Sequence, residues 1–182
     1  MFGIGGLGHL APHYARVFGA ETVAVDIEDA KLELARELGA DAIVNARTAD
    51  PVAAIEALGG ADVAIALAAN PTVPAQAHAS LRRGGRLVLV SMPRDNALPL
   101  PIFETVVKGI SVIGSIVGTR QDLADVFRLH AVGRTRVITQ APKLDEINAC
   151  FDEVRPGAGA PGVRALGGHC GRCGRRLSGG LG

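Results

Sequence analysis

The sequence predicts a doubly wound α/β domain over residues 1–154, with a parallel sheet, a first strand cut short, and a disordered Gly/Arg-rich tail over 155–182. Three observations carry that prediction. Gly3, Gly5 and Gly8 are spaced as Gly-x-Gly-x-x-Gly at the very start of the chain. Asp26 closes the apolar run Thr22 to Val25, eighteen residues after Gly8. From there apolar runs alternate with helical patterns as far as residue 154, the order expected of strand–helix–strand units with helices on both faces of the sheet.

The glycine spacing is that of the turn between the first strand and first helix of a dinucleotide-binding fold. Gly3 would allow the tight turn, Gly5 the close approach of a pyrophosphate, and Gly8 the close packing of helix on strand. Amides at the helix start would face the anion, aided by the helix dipole. A strand of about five or six residues ordinarily leads into such a turn, and here only Met1 and Phe2 precede it. Thr22–Asp26 reads as a buried parallel strand. Asp26 at its end is placed to accept hydrogen bonds from both hydroxyls of an adenosine ribose. No Arg directly follows to neutralise a 2′-phosphate, so the pattern favours NAD over NADP.

The remaining elements follow in order. Gly6–Phe18 is the expected first helix, with Pro12 inside it. A proline in a helix interior costs about 3 kcal/mol or more, so this helix kinks or starts late. Asp29–Leu38 has Leu32, Ala35 and Leu38 on one face and Gly39 as its stop. Ala42–Val44 is a short strand, and Asp50-Pro51 opens a helix that ends before Gly59-Gly60. Val63–Ala68 is a buried strand and Val73–Leu81 a helix, after which Gly84-Gly85 turns into the strand Arg86–Val90. A proline-punctuated loop (Pro93, Pro99, Pro101) leads to a helix at Ile102–Lys108 and a strand at Ser111–Ser115. A helix at Arg120–Ala131, a short strand at Val137–Thr139 and a last helix at Leu144–Val154 complete the domain.

Composition narrows the function classes. The apolar fraction of 48% supports a sizeable core, and the net charge of +1 gives no global field for nucleic acid or membrane. No run reaches the ~18 continuous apolar residues of a spanning helix, and no signal peptide pattern opens the chain. Three cysteines make no secreted disulfide framework, so the expected compartment is the cytoplasm. Trp is absent and Tyr occurs once, so stacking platforms for bases are lacking. The charge is uneven: residues 1–154 carry −4, whereas 155–182 hold five Arg, no acid and ten Gly. Nucleic acid is therefore not an expected partner of the domain, and the tail has neither aromatics nor an RGG repeat.

With these residues in view, the sequence resembles the coenzyme domain of medium-chain, zinc-dependent alcohol dehydrogenases. The segments that carry the resemblance are GIGGLGHLA at 3–11, VAVDIEDAKLELARELGAD at 23–41, LRRGGRLVLVSMP at 81–93, LPLPIFETVVKGISVIGSIVGTRQDL at 98–123 and KLDEINACFDEVRPG at 143–157. The resemblance implies a Rossmann-like fold and NAD as cofactor. It implies that Gly5, Gly6 and Leu7 cradle the pyrophosphate and that Lys31 helps Asp26 at the adenosine ribose. It implies too that Ala69 ends a strand at the cofactor crevice. Met92, Ser115 and Val117 would lie where backbone groups meet the nicotinamide carboxamide. The family pairs its edge strand into dimers, which implies a homo-oligomer through 111–116.

The same resemblance marks what this chain lacks. The family's zinc ligands, two cysteines and a His-Glu pair in a separate preceding domain, have no counterpart here, so the chain alone is expected to be inactive. After Val154 the sequence departs from the family's final strand, which points to a truncated or frameshifted reading of a longer gene. The function implied is the NAD-binding portion of an alcohol dehydrogenase-like oxidoreductase. The alternative is a non-catalytic nucleotide-binding or dimerising module. No metal site is expected: Cys170 and Cys173 form one Cys-x-x-Cys without a matching pair, and His9 and His13, four apart, have no third ligand.

Overall fold

The computed structural model describes residues 1–95, 97–138 and 144–154. The tail expected to be disordered, its Cys-x-x-Cys and Thr139 lie outside the described residues. The elements run α1 (Ala11–Val17), β1 (Val23–Asp26), α2 (Asp29–Glu37), β2 (Ala42–Asn45), α3 (Pro51–Ala57), β3 (Ala61–Ala66) and α4 (Thr72–Ala79). They continue with β4 (Leu81–Leu89), α5 (Ile102–Lys108), β5 (Ser111–Gly114), α6 (Arg120–Ala131), a 3₁₀ turn at Leu144–Glu146 and α7 (Ile147–Val154).

All strand pairs are parallel. β1 pairs with β2, β3 with β4, and β4 with β5. Phe2 joins the two groups, bridging Val25 on one side and Ala66 on the other. The sheet order is therefore β2, β1, Phe2, β3, β4, β5, with the abbreviated first strand at its centre. The three residues of that strand make a full ladder. Met1 N donates to Val23 O and Phe2 N to Ile65 O, while Gly3 N donates to Val25 O. In return Val25 N donates to Met1 O, and Leu67 N and Ala68 N both donate to Phe2 O.

Helices cover both faces, and the alternation of side chains along β1 shows how. Ala24 faces one core with Ile4, Leu32, Ala35 and Ala40, which is the α2 side. Val25 faces the other with Phe2, Ile55, Ala64, Ala77, Leu81 and Leu87, the side of α3 and α4. Phe2 and Ile4 serve opposite cores although they are two apart, because Gly3 lies between them with φ +102° and turns the chain over. That conformation suits glycine alone among ordinary residues.

Local chemistry explains the boundaries. Pro12 sits in the first turn of α1, where its missing N–H is not needed, so the helix starts late at Ala11 and residues 5–10 form turns instead. The Asp50 side chain accepts from Val52 N and caps α3. Thr119 and Asp122 form a capping box at the start of α6.

Three expectations are corrected. Leu81 belongs to β4 and not to the preceding helix: it pairs with Ala61, and the strand resumes at Arg86 opposite Val63. Arg82 to Gly85 thus bulge out of a strand rather than precede one. Leu81 is fully buried in the core, and its burial outweighs the turn signal of Gly84-Gly85. No strand forms over Val137 and Ile138. The last helix is split, Leu144–Glu146 being 3₁₀.

The far side of the sheet is thinly covered. All four residues of β5 are exposed, and so are Ile102, Phe103 and Val106 on α5.

Candidate functional site

Every strand of a parallel sheet ends at the same edge, and ligands of open α/β sheets bind outside that edge. The residues singled out from sequence fall there. The glycine turn follows the central Met1–Gly3 strand, and Asp26 ends β1. Ala69 lies three residues past β3, Met92 three past β4, and Ser115 and Val117 directly past β5.

The turn is built so that only glycine fits at two of its positions. A Cβ on Gly3 would lie 2.7 Å from both Cβ and N of Ala68, and one on Gly8 would lie 2.0 Å from Gly3 O. Gly5 differs: a Cβ there would meet nothing within 4 Å. Space is therefore left open at Gly5 while the flanking glycines are packed against backbone. The amides of Gly5, Gly6 and Leu7 find no acceptor among the described residues. Gly6 and Leu7 are exposed on the outside of the turn. Unpaired amides beside an open backbone concavity form a cradle suited to an anion.

Two side chains hold this turn. His9, buried at 4% exposure, bonds through Nδ1 to Gly5 O at 3.2 Å. The carbonyl accepts, so Nδ1 carries the proton. Asp26 takes the larger share: Oδ2 accepts from Ile4 N at 2.7 Å, and Oδ1 accepts from Ile27 N at 2.7 Å and Glu28 N at 3.1 Å. The carboxylate thus ties the turn to the end of β1 and the start of α2. Sequence reasoning assigned Asp26 to a ribose and did not foresee this latch; no spacing rule reveals an amide partner across the sheet.

Lys31, one helical turn on, is only 13% exposed at its side chain, and its Nζ donates to Glu28 Oε1 at 2.8 Å. Glu28 was not singled out from sequence, although its place three residues before Lys31 on a helix start signals the pair.

The strand ends beyond are stitched to one another. Ser91 donates from Oγ to Ala68 O at 2.8 Å and from N to Ala66 O at 3.1 Å, fixing the segment before Met92 to the segment before Ala69. Ser115 N donates to Leu89 O at 2.9 Å. Met92 and Val117 are almost fully exposed. Val117 has φ +29°, a conformation β-branched residues rarely adopt.

The Nε2 atoms of His9 and His13 are buried with no hydrogen-bond partner. The pKa of His13 is pushed down, chiefly by burial and further by His9, Arg136 and Arg16, against a hydrogen bond with the Arg136 backbone. His78 donates to Thr105 Oγ1 at 2.9 Å, because the Thr105 hydroxyl proton goes to Pro101 O. His78 borders a shallow, mostly apolar groove of about 430 Å³ lined also by Pro99, Leu100 and Pro101, which holds none of the predicted site residues. Among the described residues no group of three or more His, Cys, Asp or Glu is arranged to hold a metal ion. The described side chains therefore do not fit a zinc ion.

Known proteins resemble this chain over most of its length. An alcohol dehydrogenase of Geobacillus stearothermophilus is 47% identical over 158 residues, which is 86% of this chain and 46% of that protein. The alcohol dehydrogenase structure from the hyperthermophilic archaeon Aeropyrum pernix superposes with a TM-score of 0.77 at 34% identity, covering 84% of this chain and 44% of the other. A structure from Sinorhizobium meliloti 1021 that holds NADP matches with a TM-score of 0.68 at 28% identity, over 75% of this chain and 42% of that one. The chain spans less than half the length of these relatives, and over that span it is homologous to alcohol dehydrogenases. Residues 6–131 match the family model described as zinc-binding dehydrogenase, and the chain belongs to that family.

Proposed function

We propose that residues 1–154 form a unit that binds NAD at the glycine turn, and that this is the coenzyme-binding portion of an oxidoreductase acting on an alcohol. The observation that carries the reading is the cradle itself: unpaired amides of Gly5, Gly6 and Leu7 around an open Gly5, with Gly3 and Gly8 locked by backbone contact. The pyrophosphate would lie on those amides. Asp26 keeps acceptor capacity beyond its three backbone donors and would take the ribose diol, with Lys31 beside it. The strand ends at Ala69, Met92, Ser115 and Val117 would line the path of the nicotinamide. NAD when bound supplies a hydride acceptor, and this chain's residues hold and orient it.

In the whole protein the reaction would be hydride transfer between a primary or secondary alcohol and NAD. The described residues supply the cofactor half, and the chain alone is proposed to be inactive; the compartment proposed is the cytoplasm. Among the described residues no helix is long and apolar enough to cross a membrane. A second reading, a dimerising module, is favoured by the exposed β5, whose outer edge has no strand partner among the described residues.

Gly5→Ala tests the first reading cleanly. The added methyl meets no protein atom, so folding is kept, but it occupies the cradle. Calorimetry should show NAD binding by the wild type and at least about tenfold weaker binding by the variant, the loss expected from one displaced charge-assisted hydrogen bond. Equal binding by both would remove the turn from the site. Sedimentation of the wild type and of Ile113→Lys tests the second: a dimer that the lysine dissolves would establish pairing through β5.

A further inference from the structure

We infer that Glu28 sets the preference of this site for a free ribose diol over a 2′-phosphate, by holding Lys31. The inference rests on the nucleotide reading above and names a residue that the reading does not use. Three charged groups meet at the junction of β1 and α2. Asp26 ends the strand, Glu28 is the N-cap of α2, and Lys31 lies in the first turn. They are physically linked: Asp26 Oδ1 accepts from the Glu28 amide, and the Glu28 carboxylate accepts from Lys31 Nζ at 2.8 Å. Glu28 makes no capping bond to its own helix, so its side chain is given over to the lysine.

Exposure makes the arrangement consequential. The Lys31 side chain is 13% exposed and that of Glu28 38%. A lysine so enclosed has few alternative partners, and its charge is spent on Glu28. The cluster then presents two carboxylates and one ammonium, a net negative charge. Ribose hydroxyls can donate to such a cluster. A 2′-phosphate carries only acceptors and negative charge, and it would need a cation. Lys31 would serve, as a compact ammonium that binds phosphate as a point charge, but only if Glu28 released it. The preference is thus set by which anion owns Lys31.

Glu28→Gln tests this. Glutamine keeps the length of the side chain and removes its charge, so Lys31 becomes available and the net negative charge disappears. Binding of NAD and of NADP to the full chain is measured by calorimetry for the wild type, Glu28→Gln, and the double variant Glu28→Gln/Lys31→Met. The pair is partly exposed, so all three should melt at similar temperatures. The ratio of NAD affinity to NADP affinity should fall at least about tenfold in Glu28→Gln, the effect of one charge-assisted hydrogen bond gained by the phosphate. It should return towards the wild-type value in the double variant. A wild type that binds NAD while Glu28→Gln leaves the ratio unmoved overturns the inference and leaves the nucleotide reading standing. A ratio that falls and stays down without Lys31 also overturns it, because the lysine would then play no part. A wild type that binds neither nucleotide removes the nucleotide reading and the inference together.

Discussion

In a chain that begins at Met1, the terminal amino group is a titrating group buried within the sheet. Its nitrogen is enclosed at the centre of the sheet and donates to Val23 O at 2.7 Å, although the Met1 side chain is partly exposed. Burial pushes its pKa down from 8.0 to about 5. The direction of the linkage follows from proton counts. Between pH 5 and pH 8 the unfolded chain holds a proton that the folded chain has released, so stability rises with pH across that window and is lost as pH falls through it. From the two pKa values, the cost relative to a chain without this amine is about 1.4 kcal/mol at pH 7 and about 3.7 kcal/mol at pH 5. Converting the amine to an amide, by prefixing three apolar residues, removes the titrating group from Met1, moves it to the new first residue and keeps the N–H donor to Val23. Urea unfolding of both chains at pH 5, 6, 7 and 8 reads the difference, since all titrating side chains are common to the two and a solvent-exposed new terminal amine titrates alike folded and unfolded. The extended chain should be more stable, and its advantage should grow by about 2 kcal/mol from pH 7 to pH 5. Parallel stability curves for the two chains would refute the claim that the amine is buried uncharged.

Other consequences are checked by the same unfolding assay. Phe2→Ala should cost about 3–5 kcal/mol, because the ring is 1% exposed and packs where β1 and β3 meet. Gly8→Ala should fail to fold, its methyl being driven into Gly3 O, whereas Gly5→Ala should unfold at the wild-type urea midpoint. Val117→Gly should stabilise by about 1 kcal/mol by releasing a β-branched residue from φ +29°. Asp50→Ala should cost about 1 kcal/mol through loss of the α3 cap, read as lower helicity by circular dichroism and an earlier midpoint.

The fold was legible where burial and periodicity agree. The runs read as strands at Thr22–Asp26 and Val63–Ala68 overlap β1 and β3, the latter starting two residues earlier at Ala61; α2 has its apolar stripe, and Asp50-Pro51 and Gly39 mark their helix ends. It was misread where a local signal competed with packing. Gly84-Gly85 argues for a turn, yet Leu81 is drawn into the core and starts β4 on the far side of the bulge. Ser111–Gly114 forms the expected strand at the edge of the sheet, but how far its residues are exposed depends on what packs there and not on the strand's own sequence. At the site, spacing located the glycines and Asp26. The i,i+3 spacing of Glu28 and Lys31 signals their pair, but no spacing shows that Asp26 serves Ile4, since that partner is settled by three-dimensional placement.

The sheet is spliced at its middle by Met1, Phe2 and Gly3, and this governs how it comes apart. A central strand of ordinary length would make the six strands one cooperative block. Here six backbone bonds, three of them received or given by Phe2, weld β2–β1–α2 to the β3–β4–β5 group. Detachment of three residues would divide the sheet into two pieces and bare the inner edges of β1 and β3 at once. Those edges carry unpaired N–H and C=O rows flanked by apolar side chains, which makes them templates for strands of other molecules. Amide exchange at Val25 and Leu67, whose hydrogens are held only by Met1 O and Phe2 O, would therefore report the same opening that seeds aggregation.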